Sequence, residues 1–182
     1  VYPLGTQSLG PGETLRWNLA AGDLDARRLL VWDARVGQRV DVIYKVNNST
    51  DVPFVEGSVR AYQDGLYVGE DPIEWTPTGS EGSVTVAGLS NVRVRRTESV
   101  EMIGTSRDDR YQHEVILAVT NHGDEAIDLT VLDEWNTYGF DYVYSAEPVR
   151  QGNNVLRWEV SVPAGETLEI TYGFTTDCRG PA

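Results

Sequence analysis

The chain has 182 residues and a formal net charge of −13, with 15 Lys and Arg against 28 Asp and Glu, so its surface repels phosphate backbones and anionic lipid and no nucleic acid is expected as a partner. Hydrophobic residues make up 40% of it, enough to supply a core. The longest aliphatic run, Val115-Ile116-Leu117-Ala118-Val119, falls far short of the ~20 residues that span a bilayer as a helix, and no membrane insertion is expected.

The sequence opens on Val1 with no basic stretch followed by an apolar one, which reads as a processed start. Residues 1–9 read as an extended arm, with Tyr2 and Leu4 as its apolar contacts, that either folds back on its own sheet or adds a strand to a neighbour's open sheet edge. After the turn Gly10-Pro11-Gly12, residues 23–30 lack β-branched side chains and are the one stretch expected to hold a helical turn. Trp17 and Trp32 fall on inward positions. In the run 40–46, Val40, Val42, Tyr44 and Val46 share one face while Asp41 and Lys45 take the other. Asn47-Asn48-Ser49 and Asn48-Ser49-Thr50 are overlapping N-x-S/T acceptors in what reads as an exposed turn, which makes Asn47 and Asn48 candidate glycosylation sites. Asp64-Gly65 between two alternating runs is the clearest hairpin signal.

Farther along, Val115 to Val119 is apolar on both faces, as a central strand is. Ile127, Leu129 and Val131 form an inward stripe. So do Leu156, Trp158, Val160 and Val162, and then Leu168, Ile170, Tyr172 and Phe174. The loop 135–142 carries four rings, Trp135, Tyr138, Phe140 and Tyr142, and reads as a plug over the sandwich end or a subunit contact. Period-two alternation recurs throughout, and Gly and Pro fall mainly between the alternating runs, so the chain is expected to be all-β. An echo between Gly12-Glu13-Thr14-Leu15 and Gly165-Glu166-Thr167-Leu168 points to two sandwich units, 1–98 and 99–182, packed directly on one another.

Chemistry-bearing patterns are sparse. His113 and His122 sit nine apart, without the spacing of a zinc site, and no nucleophile elbow, P-loop or dinucleotide glycine pattern occurs. Glu70-Asp71, Asp108-Asp109, Asp124-Glu125 and Asp133-Glu134 read as solvated acidic surface. Asp23, Asp25, Asp108 and Asp109 are the only oxygen ligands arranged at all suitably for calcium, and no metal or cofactor is expected. Cys178, the single cysteine, has no internal disulfide partner and reads as inert or intermolecular. Trp75 and the 135–142 loop are the residues on which a sugar would stack.

From about Thr6 to Phe174 the chain resembles the C-terminal domain of the mucoidy-inhibitor-like family, a conserved domain of unknown function in extracytoplasmic proteins. The resemblance is carried by Gly57-Ser58-Val59-Arg60-Ala61-Tyr62, Asp64-Gly65, Val68-Gly69-Glu70-Asp71 and Trp75-Thr76-Pro77, then by Val119-Thr120-Asn121-His122 and the run from Trp158 to Thr167. It implies a β-sandwich outside the cytoplasm with no catalytic residues to carry over. The combined expectation is two packed immunoglobulin-like antiparallel β-sandwich units. They would form a non-enzymatic, secreted or cell-surface structural protein whose partners are proteins, copies of itself foremost, assembled into a filament by strand addition. The alternative is a carbohydrate-binding module.

Overall fold

A computed structural model describes residues 5, 6, 8–15, 21–104, 110–152 and 154–177. These contain twelve strands and no helix: β1 (Ala26–Asp33), β2 (Asp41–Asn47), β3 (Gly57–Gln63), β4 (Leu66–Ile73), β5 (Glu81–Gly88), β6 (Val92–Met102), β7 (Arg110–Asn121), β8 (Ile127–Glu134), β9 (Phe140–Tyr144), β10 (Val149–Gln151), β11 (Val155–Val162) and β12 (Thr167–Asp177). A six-stranded sheet has the order β10-β11-β8-β1-β2-β5, a four-stranded sheet the order β6-β7-β12-β9, and β3 and β4 form a separate ribbon. One core lies between the two larger sheets. Leu30, Trp32, Val42, Leu129, Val131, Leu156 and Trp158 enter it from one side, and Val94, Val115, Leu117, Val119, Ile170, Tyr172 and Phe174 from the other.

The inward stripes expected from alternation are buried in the core or packed against it, except that Val46 is only half-buried and outside it, and β7, apolar on both faces, is one of the two central strands of its sheet. The helical turn expected over 23–30 is not formed. Residues 26–30 belong to β1, where the alternation that places Leu30 and Trp32 inward outweighs a weak local propensity. The echo at Gly12 to Leu15 also fails, because those residues lie in no strand. Glu13 instead closes a small turn by accepting the Gly10 N–H at 2.8 Å. The boundary expected at 98/99 falls inside β6, and strands from both sides of it share the six-stranded sheet and the core.

A different internal likeness is present. The Asn48 N–H donates to the Ser80 carbonyl and the Asn121 N–H to the Glu166 carbonyl, both at 2.9 Å. The buried Nδ2 of Asn48 donates to the carbonyls of Val52 and Thr76, while that of Asn121 donates to those of Glu125, Val162 and Pro163. Each Oδ1 accepts a main-chain N–H two residues on, from Thr50 and from Gly123. The partner turns match as well: Gly79 and Gly165 take φ of 78° and 72°, two residues after Pro77 and Pro163. Both halves therefore end a strand on the same asparagine lock, which fixes the chain's entry into the next segment and its return.

The β3–β4 hairpin turns on Asp64 (φ 52°) and Gly65 (φ 76°), the positive pair that a two-residue hairpin turn of this kind requires. It sits beside β5 without a ladder: the Thr85 N–H donates to Asp71 Oδ2 at 3.0 Å. Gly69 allows the close approach, since a Cβ there would lie 2.1 Å from the Val86 carbonyl oxygen.

Candidate functional site

β1 and β8 are neighbours in the middle of the six-stranded sheet, and their pairing is parallel while every other pairing in the sheet is antiparallel. Each is well paired on its outer side, β1 with β2 over 26–31 and β8 with β11 over 127–134. With each other they pair only where 31–33 meet 130–132. No hairpin ties their N-terminal ends, so nothing forces the two strands to stay together there. They part, and Arg27, Arg28 and Leu30 on one side and Ile127 and Asp128 on the other line a cavity of about 520 Å³.

The phase of the ladder tells which main-chain groups face this gap. The Ala34 N–H donates to the Leu132 carbonyl at 2.8 Å, and the Asn47 N–H donates to the Asp25 carbonyl at 3.3 Å. Because N–H and C=O alternate sides along a strand, Arg27 and Leu29 turn theirs to β2, while Arg28 turns its own to the gap and Asp128 faces it from β8. The side chains divide by charge: arginines 27 and 28 on the β1 side, and Asp124, Glu125, Asp128 and Glu159 on the other.

The aromatic loop lies at the opposite end of β8. Trp135 and Tyr142 pack against the core, and the Arg150 guanidinium covers both rings, 4.8 Å and 5.7 Å from their centroids. Tyr142 stacks on Phe174 and Tyr144 and donates its hydroxyl to the Asn136 carbonyl. Burial, with Tyr144 alongside, raises its phenol above the ordinary range. Phe140 is half-buried, with the Arg110 guanidinium 6.0 Å from its ring. Only Tyr138 projects, at 63% exposure. Trp32 and Trp158 spend their indole N–H groups on the carbonyls of Gly37 and Ala146, whereas that of Trp135 is buried without a partner.

Beneath this loop runs a charged chain that reading the sequence did not find. Asp133, 1% exposed, accepts from Arg96 Nε, from the Tyr172 hydroxyl at 2.9 Å and from the Glu134 N–H at 2.8 Å. Arg96 Nη1 donates to Glu98 at 2.8 Å, and His113 bridges Glu98 and Thr176 at 2.9 Å on each side while stacked on Phe174. Burial and the Asp133 carboxylate raise Tyr172 well above the ordinary phenol range, so it stays a donor. Burial alone would lower Arg96, but Glu98 and Asp133 outweigh it and hold it charged.

Burial would likewise raise Glu98, yet its hydrogen bonds with His113 and Arg96 hold it below its ordinary value of 4.5. A lowered carboxylate contributes stability that is fully present above that ordinary value and is lost as the pH falls through the folded-state value. The stability difference between the native chain and Glu98→Gln is therefore expected to be largest at pH 6–7 and to shrink steadily below about pH 4.5. Urea melts across that range measure it, and a difference that widens on acidification would contradict the assignment.

The remaining expected sites fall apart spatially or lie elsewhere. Asn47 is exposed, but Asn48 is fully buried with its amide engaged, so a glycan on Asn48 is incompatible with this fold. Trp75 stands alone at 62% exposure. Asp23 and Asp25 are exposed, and no group of three metal-binding side chains occurs among the described residues. Tyr2, Leu4, Trp17, Asp108, Asp109 and Cys178 lie outside the described residues. Comparison with family models, with curated proteins and with solved structures finds no match for the chain.

Proposed function

We propose that the protein is a non-enzymatic, extracytoplasmic binding module that takes an extended peptide strand into the gap between β1 and β8, the donor being the 1–9 arm of a second copy. The observation that carries this is the pair of strands satisfied on their outer edges yet presenting the main-chain groups of Arg28 and Asp128 across one cavity. A segment threaded there pairs on both sides, whereas addition to a sheet edge pairs on one. Donor and acceptor are different surfaces of the chain, so repetition need not close and builds a filament. The placement outside the cytoplasm rests on the resemblance of residues 6–174. The repeated asparagine lock supports the grouping of the strands into two related immunoglobulin-like units.

Arg28→Pro tests the gap selectively. Proline lacks the N–H and fills the space beside it, yet at position 28 it leaves the β1–β2 ladder intact, because that ladder runs through the main-chain groups of Arg27 and Leu29. Light scattering is expected to show concentration-dependent assembly of the full chain, and monomers for Arg28→Pro and for the chain lacking residues 1–9. Arg27→Pro, which breaks the ladder, is expected to lower the melting temperature instead. A native chain that stays monomeric at every concentration, or assembly unchanged in Arg28→Pro, would overturn the reading. Assembly that survives loss of residues 1–9 removes the arm as donor.

A further inference from the structure

Where β8 ends, a second cleft, of about 270 Å³, opens between the loop after Glu134 and the four-stranded sheet. Its floor is spent, since Arg96 and Tyr172 are bound to Asp133 and Arg96 also to Glu98. Its rim has bonding capacity left. Glu134 and Asn154 form hydrogen bonds through their main chains, which leaves a carboxylate and an amide over. Asn136 uses Oδ1 and its carbonyl and keeps Nδ2 in hand. The Trp135 indole N–H, though unpartnered, is buried away from the cleft surface, whereas the Tyr138 ring stands exposed.

The chemistry of the lining narrows the ligand. A divalent cation needs several free oxygens, but Glu98 is held by Arg96 and His113, leaving one carboxylate. An anion would meet that carboxylate with no unneutralised guanidinium in the lining to offset it. An apolar ligand would bury the rim amides unsatisfied. A neutral polyol offers what the rim lacks: hydroxyls that donate to a carboxylate and accept from amides, on a ring with an apolar face for an aromatic.

We propose that this cleft binds one residue of a neutral sugar, with Tyr138 stacked on its apolar face, Glu134 accepting from its hydroxyls, and the amides of Asn136 and Asn154 donating to it. The site lies at the other end of β8 from the strand-accepting gap and does not depend on it. Trp135 itself is no stacking platform, because Arg150 covers its ring.

Titrating the full chain with glucose, galactose, mannose and their β-linked dimers, followed by tryptophan fluorescence and by NMR, tests the proposal. Saturable millimolar binding is expected for at least one of them. It should weaken about tenfold in Tyr138→Ala, weaken severalfold in Glu134→Gln, and stay unchanged in Trp75→Ala. Both altered rim side chains are exposed, so the variants keep the fold. No saturable change with any of these sugars, binding undiminished in Tyr138→Ala, or binding lost in Trp75→Ala would each overturn it. None of these variants touches β1 or the gap, so failure here is distinguishable from failure of strand uptake.

Discussion

Replacing Arg96 with methionine is expected to destabilise the protein by about 3–5 kcal/mol. Asp133 is fully enclosed, and of its donors only Arg96 carries a charge. Methionine fills much of the arginine stem's space, so the loss reports the stranded carboxylate rather than a cavity. Asp133→Asn is expected to cost less, about 1–3 kcal/mol, because the amide oxygen still accepts from Tyr172 while Arg96 keeps Glu98. The double variant Arg96→Met with Asp133→Asn should then be more stable than Arg96→Met alone, since no uncompensated charge stays buried. Chemical denaturation of the four species gives the coupling directly. A loss for Arg96→Met within about 0.5 kcal/mol would mean that the pair behaves like a solvent-screened surface bridge.

This pair shows where local reading of the sequence stops. Alternation is a property of a single strand, so the inward stripes of β8, β11 and β12 and the Asp64-Gly65 turn are legible from neighbouring residues alone. Asp133 continues the stripe Ile127, Leu129, Val131, and Arg96 continues Val92, Val94. Each is a charge on the core face of its own strand. Read singly, Asp133 looks like half of a solvated acidic pair with Glu134. Opposite charges on two core faces are a signal only when read together, and that signal was available without coordinates. The gap between β1 and β8 was not, because it follows from bringing strands about a hundred residues apart side by side in parallel, which no local pattern encodes. For β1 the weak propensity of residues 23–30 pointed the wrong way because burial of Leu30 and Trp32 is decided by the facing sheet.

Asn121→Ala is expected to cost about 3 kcal/mol and Asn48→Ala about 2 kcal/mol. Asparagine before a turn ordinarily serves its own backbone two residues on, and both residues do that through Oδ1. What makes them structural is the other end of the amide, which reaches carbonyls 28 residues away at Asn48 and 41 and 42 away at Asn121. Alanine removes an amide donor that serves three carbonyls at Asn121 against two at Asn48, and at Asn48 both carbonyls keep another donor, Thr76 from the Phe54 N–H and Val52 from the Thr50 hydroxyl, which sets the order of the losses. Asn121→Asp separates this account from simple loss of turn preference. Aspartate favours such turns as well as asparagine does, yet at neutral pH it aims a negative oxygen where the amide donor stood, toward three carbonyl oxygens, so it should be less stable than alanine. Asn47→Ala, at the exposed neighbour, should stay within about 0.5 kcal/mol. If Asn121→Asp proves milder than Asn121→Ala, the amide protons are not what locks the return strand. If it proves harsher, the two locks hold the halves to one geometry, and of the two acceptor asparagines only Asn47 has a surface on which a glycan can sit.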